Sequence, residues 1–240
     1  MCNAEIRKVR LASVLSGAFE YCKKNSKMLL IFTVFNYLLC SAMVYSWKTF
    51  WLWPLALVMY VLWGGLFRYY FERKPYFEYR VLFYSMVPST KIVVLSVLVF
   101  SLIFLFPVLI LFIPNLPNEF ASNYANFLRV AMQQTDILDA IVNLVVVIFS
   151  PVILYRPMLA WIAALLGRSG SLRFAWEKTQ GNYWEFLLLA IIINLSVAFL
   201  YNGILLVGGN IYIALVPISA LVVYFNIVIA KLYEHFFLDI

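Results

Sequence analysis

Six apolar runs, each about the length needed to cross a bilayer, constrain this chain more than any motif in it. They are Met28 to Ser46, Phe50 to Tyr70, Ile92 to Ile113, Ile137 to Leu166, Trp184 to Val207 and Ile211 to Leu232. A hydrocarbon core of about 30 Å takes about 20 apolar residues as helix. The fourth run is over-long and is interrupted by Pro151 and Pro157, and the third carries Pro107, where a kink is expected. Composition agrees: 65% of the residues are hydrophobic and 12% are charged. So few charges cannot cover a water-facing surface, since soluble domains carry roughly a quarter. An all-α polytopic membrane protein follows.

The basic residues sit between the runs. Arg7, Lys8, Arg10, Lys23, Lys24 and Lys27 precede the first. Arg68, Arg73, Lys74, Arg80 and Lys91 lie between the second and third, Arg168, Arg173 and Lys178 between the fourth and fifth, and Lys231 at the end. The alternate connections hold only Lys48 and Arg129. The positive-inside bias puts both termini in the cytoplasm, which assigns a formal charge of +7 to topology rather than to nucleic acid. Neither a cleavable signal peptide in MCNAEIRKVRLASVL nor a lipoprotein modification at Cys2, directly after Met1, is expected. Cys2, Cys22 and Cys40 lack metal-ligand spacing and are expected to be free thiols.

Two cytoplasmic stretches are amphipathic and run straight into a span. In the first, Leu11, Val14, Leu15, Ala18, Phe19 and Cys22 recur at helical spacing, opposite Ser13, Ser16, Glu20, Lys23 and Lys24. In the second, Leu172, Ala175, Trp176, Thr179 and Tyr183 do the same, with Ser171 as N-cap and Gly181 as the stop. Both are expected to lie in the headgroup plane, apolar face down, with Lys23, Lys24, Arg173 and Lys178 towards anionic headgroups and Trp176 and Trp184 as anchors. A weaker third copy is expected between Pro75 and Lys91.

A shift of 157 residues pairs Leu15 with Leu172, Ala18 with Ala175, Phe19 with Trp176, Glu20 with Glu177, Asn25 with Asn182 and Leu30 with Leu187. Self-similarity at a fixed offset marks a duplicated unit. The expected architecture is one membrane domain, residues 1–240, with six transmembrane helices in three parallel helix-pair units, each behind an interfacial helix. The units run approximately 10–72, 75–134 and 135–166, with 168–240 holding the clearest second copy of the first.

The GSLRFAWEKTQGNYW segment, after Pro157 and Gly167, resembles a pattern in the membrane domain of membrane-anchored glycerophosphodiester phosphodiesterases and in related stand-alone six-helix bacterial inner-membrane proteins. Ala175, Trp176, Gly181, Asn182 and Trp184 carry the match, and AFEYCKKN is a weaker first copy. That pattern usually has Ser where this chain has Ala175. The resemblance implies a six-helix fold in a bacterial inner membrane. It does not imply phosphodiesterase activity, because the catalytic barrel of those enzymes is a separate domain for which 240 residues leave no room.

Catalytic chemistry is not legible. There is no phosphate-binding Gly loop, GxSxG or HExxH, and His235, the single histidine, has no ligand partners at metal spacing. No cofactor is implied. Asp136 and Asp139, like Glu185, fit helix N-termini. Arg156 stands within the fourth run, where an ionisable residue raises a functional hypothesis; the alternative is a side chain snorkelling to the interface from a helix break. Asn36 and Asn194 lie mid-span and almost correspond under the repeat; Asn143, Asn202 and Asn226 add amides, and Gly64 and Gly65 suit close packing. The leading expectation is a non-catalytic protein that organises membrane lipids or partner proteins, with a membrane-protein partner or a homo-oligomer as its associates. A small-solute or lipid transporter with a polar path near Arg156, Asn36 and Asn194 is the alternative, and a lipid-acting enzyme is the least supported, having no nucleophile and base to name.

Overall fold

The computed structural model describes residues 8–46, 52–72, 122–123, 147–148, 155–167 and 172–238. Within them every regular element is helical: α1 (Leu11–Lys24), α2 (Ser26–Tyr45), α3 (Leu52–Glu72), α4 (Arg156–Leu165), α5 (Leu172–Lys178), α6 (Tyr183–Leu206) and α7 (Ile211–Phe237). Three of these, α2, α6 and α7, are long and apolar enough to cross a membrane, which points to a membrane protein. The expected third span, the middle unit, the Pro75–Lys91 helix and most of the fourth run lie outside the described residues, as do Asp136, Asp139, Asn143 and Ser171.

Surface exposure supports lipid as the solvent. Along α2, Leu29, Phe32 and Asn36 form one buried stripe, while Leu30, Phe35 and Leu38 on other faces are exposed. Along α6 only Phe186, Leu189 and Ala190 are buried, and Phe199 is 79% exposed. Apolar area of this extent on a monomer marks a surface that meets lipid or another protein.

α7 is the central element. It packs against α1, α2, α3, α4 and α6, and from Val223 to Phe236 most of its side chains are buried. Asn210 caps it by accepting a hydrogen bond from Ile213 N at 3.1 Å, the N-cap role that short polar side chains fill. Gly208 (φ +81°) and Gly209 turn the chain from α6 into it. A Cβ at Gly209 would lie 2.8 Å from the Ile204 carbonyl oxygen, so only glycine fits that close approach.

The apolar stripe of α1, expected against lipid, is divided. Val14 and Ala18 are buried and the helix packs on α7; Tyr224 donates to the Leu15 carbonyl across 3.1 Å. Phe19, one residue on, is 65% exposed. In α5, Ala175 is buried against Ala160 of α4 while Trp176 is 44% exposed. Alanine at the centre of each stripe lets the backbones approach, and the neighbouring large aromatic stays outside.

The α1–α2 and α5–α6 junctions have nearly the same backbone. Asn25 precedes α2 at φ −113°, ψ 24°, and Asn182 precedes α6 at φ −109°, ψ 30°. Gly181, at φ +84°, supplies the left-handed turn that ends the second amphipathic segment. Val9 N donates to Asn182 Oδ1 at 3.0 Å, tying the start of the described chain to the second junction. Val9, α1, the C-terminal half of α7 and the α5–α6 turn therefore gather at one end of the bundle.

Candidate functional site

α4 is buried nearly all round, with Leu159, Ala160, Trp161, Ile162, Ala163 and Leu165 in the core, as expected of a helix without a polar face. Pro157 sits in its first turn, where a missing N–H leaves no intrahelical bond unmade. That seats Arg156 at the helix start beside α5. The side chain does not run out to solvent: the residue is 4% exposed. Its Nε donates to Thr179 Oγ1 at 3.0 Å, and its Cζ lies 3.8 Å from the centre of the Trp176 ring. The Thr179 hydroxyl in turn donates to the Ala175 carbonyl across 2.8 Å, so it is oriented to accept from Arg156. Trp176 covers the guanidinium face and is itself open on its outer side. Arg156 has no acidic partner among the described residues.

Asn36 is fully buried on α2, and its Oδ1 accepts from Trp63 Nε1 of α3 at 3.3 Å. Among the described residues its Nδ2 has no partner, nor has Oδ1 of Asn226, whose Nδ2 donates to the Val222 carbonyl of its own helix. Asn194 faces outward from α6 and donates to the Ala190 carbonyl of its own helix at 2.9 Å. Arg156, Asn36 and Asn194 are thus held by three separate sets of partners and do not converge. The physical reason for the Asn36–Asn194 divergence is register. Asn36 corresponds to Ile193 at the 157-residue offset, and one residue is about 100° of rotation around a helix.

The anchors differ among themselves. Lys23 and Lys24 are exposed at the end of α1, where positive charge suits the helix C-terminus. Arg173 is committed to Glu177 at 2.9 Å, an exposed i, i+4 pair worth little in energy. Lys178 lies 5.7 Å from the Phe174 ring. Trp184 is 73% exposed and meets Tyr183 edge to face. Glu185 stands in the first turn of α6, and His235 packs edge-on to Phe236. No three side chains of metal-binding type cluster among the described residues.

An open apolar groove of about 560 Å³ runs between α1, α2, α6 and α7, with Phe19, Cys22, Leu30, Leu200, Pro217 and Tyr224 among its walls. Burial there pushes the Cys22 thiol up to about 11.

Sequence reasoning grouped Thr179 with an apolar face and missed its bond to Arg156. The available signal was a hydroxyl on the same helical face as Ala175 and Trp176. The Arg68–Glu72 pair at 2.8 Å, with Arg68 buried, was readable from its i, i+4 spacing. No protein-family model, no curated protein and no solved structure matches this chain.

Proposed function

We propose that this chain is a non-catalytic integral membrane protein of a bacterial inner membrane that organises anionic lipids, or a partner protein dressed with them, at the cytoplasmic face. One observation carries the reading. Exposed cations (Lys23, Lys24, Lys178) and exposed aromatics (Phe19, Trp176, Trp184) share the end of the bundle where α1 packs on α7, Phe174 of α5 meets Phe237 and Val9 reaches Asn182. Basic groups beside aromatic rings at the mouth of apolar helices are what an anionic leaflet holds. Six spans in three parallel units belong to the same proposal. The common backbone of the Asn25 and Asn182 junctions supports the duplication, and so does the resemblance to the membrane domain of membrane-anchored glycerophosphodiester phosphodiesterases. A transport path through Arg156, Asn36 and Asn194 finds no support in side chains that point to separate partners.

The test is lipid enrichment. The full chain, extracted in native lipid particles, should carry more phosphatidylglycerol than the surrounding membrane. The triple variant K23Q/K24Q/K178Q should lose most of that enrichment, as measured by mass spectrometry of the bound lipids. A wild-type lipid profile equal to that of the bulk membrane would end the proposal.

A further inference from the structure

Arg156 is a charge with an unfinished coordination. A guanidinium offers five N–H donors in a planar fork. Here Nε is used by Thr179 and one ring face by Trp176, while neither Nη has a partner among the described residues. A cation with so little exposure and no compensating charge is disfavoured in a low-dielectric setting. Yet the residue is 4% exposed, and no carboxylate among the described residues pairs with it. Neighbouring groups hold it in place without neutralising it. Thr179 is itself pinned to the Ala175 carbonyl, which fixes the acceptor of Nε and leaves the Nη donors unused by it. The cover over the site is the Trp176 ring, open on its outer side.

We infer that the Nη edge of Arg156 binds a phosphate-class oxyanion, a phosphomonoester or phosphodiester, with Thr179 as the positioning residue and Trp176 as the lid. The fork geometry suits two oxygens of one phosphate, and that is the recognition arginine performs better than lysine. Tryptophan at this place also suits the headgroup level of a bilayer. The phosphate reaches the site either as the headgroup of a phospholipid or as a soluble ester from the cytoplasm. The inference rests on the membrane placement proposed above, but not on the exposed lysines, so the two fail separately.

The experiment uses the full chain, stripped of lipid, in dodecyl maltoside micelles, which carry no phosphate. In one arm inorganic phosphate or glycerol 3-phosphate is titrated from the buffer. In the other, phosphatidylglycerol is added to the micelles and the lipids retained are counted by native mass spectrometry. One anion is expected to stay bound per chain. Arg156→Gln should weaken it roughly tenfold or more, and Arg156→Lys should weaken it less while keeping the charge. Saturation by soluble phosphate names a cytosolic ester as the ligand, and retention in the lipid arm alone names a headgroup. K23Q/K24Q/K178Q should leave this one anion in place even where it abolishes the wider enrichment. Thr179→Val, which keeps the volume, should weaken binding in a chain that still unfolds cooperatively, though at a lower temperature; this guards against Arg156→Gln failing to fold. Equal retention by wild type and both Arg156 variants, or no bound anion in either arm, overturns the inference.

Discussion

At the scale of residues, neighbours on the chain have opposite fates. Ala18 is buried and Phe19 is exposed; Ala175 is buried and Trp176 is half open. The amide of Asn36 has a weaker hold than its burial suggests, with one bond of 3.3 Å to Trp63 and an Nδ2 left over. Interhelical polar contacts in membranes are worth about 1 kcal/mol or less. A double-mutant cycle of Asn36→Ala with Trp63→Phe, read by detergent-titrated unfolding, should show a coupling of about that size. A coupling of zero would mean that the bond only accompanies packing. Arg156 shows where residue-level reading stops. Its place in an apolar run was plain from the sequence, but its cover comes from Trp176, twenty residues on and in another helix. Neither periodicity nor hydropathy reports which ring lies over which charge.

At the scale of elements, what could be read in advance was length and polarity. The apolar run from Trp184 to Val207 became α6, Tyr183–Leu206, and Met28 to Ser46 became α2, Ser26–Tyr45. The last run, Ile211 to Leu232, gives a helix that continues to Phe237, because Lys231 pairs with Glu234 at 2.7 Å and so sits comfortably within the final turns. What could not be read was the partner of each face. The stripe of α1 looks the same whether it meets lipid or α7, and here it meets α7 209 residues later. The tight turn at Gly208–Asn210 was legible, and it makes a sharp prediction. Gly209→Ala must push against the Ile204 carbonyl and should cost about 1–3 kcal/mol. Gly203→Ala, within α6 and with nothing within 4 Å of the new methyl, should be neutral or stabilising by up to about 1 kcal/mol. Thermal unfolding of both in the same detergent would check the contrast, and similar losses at the two positions would contradict it.

At the scale of the whole molecule, both ends of the described chain belong to one end of the bundle, because α1 packs on the C-terminal half of α7 and Val9 reaches Asn182. Cysteines placed at Lys8 and at Leu238 in a cysteine-free background should therefore react with a membrane-impermeant thiol reagent from the same side. In the orientation proposed above, inverted inner-membrane vesicles should label both and right-side-out spheroplasts neither; labelling of one site in each preparation would break the arrangement. The same packing has a consequence for synthesis. Of the described helices, the first made, α1, has its seat on the last, α7. At about 5–20 residues per second a ribosome takes roughly 10–40 s to add the intervening two hundred or so residues. During that time α1 carries Val14 and Ala18 without their partner, and the nearest surface able to shelter them is the membrane itself. The α1 seat is therefore completed only when α7 arrives, and a nascent chain stalled before Ile211 would leave α1 waiting on the lipid.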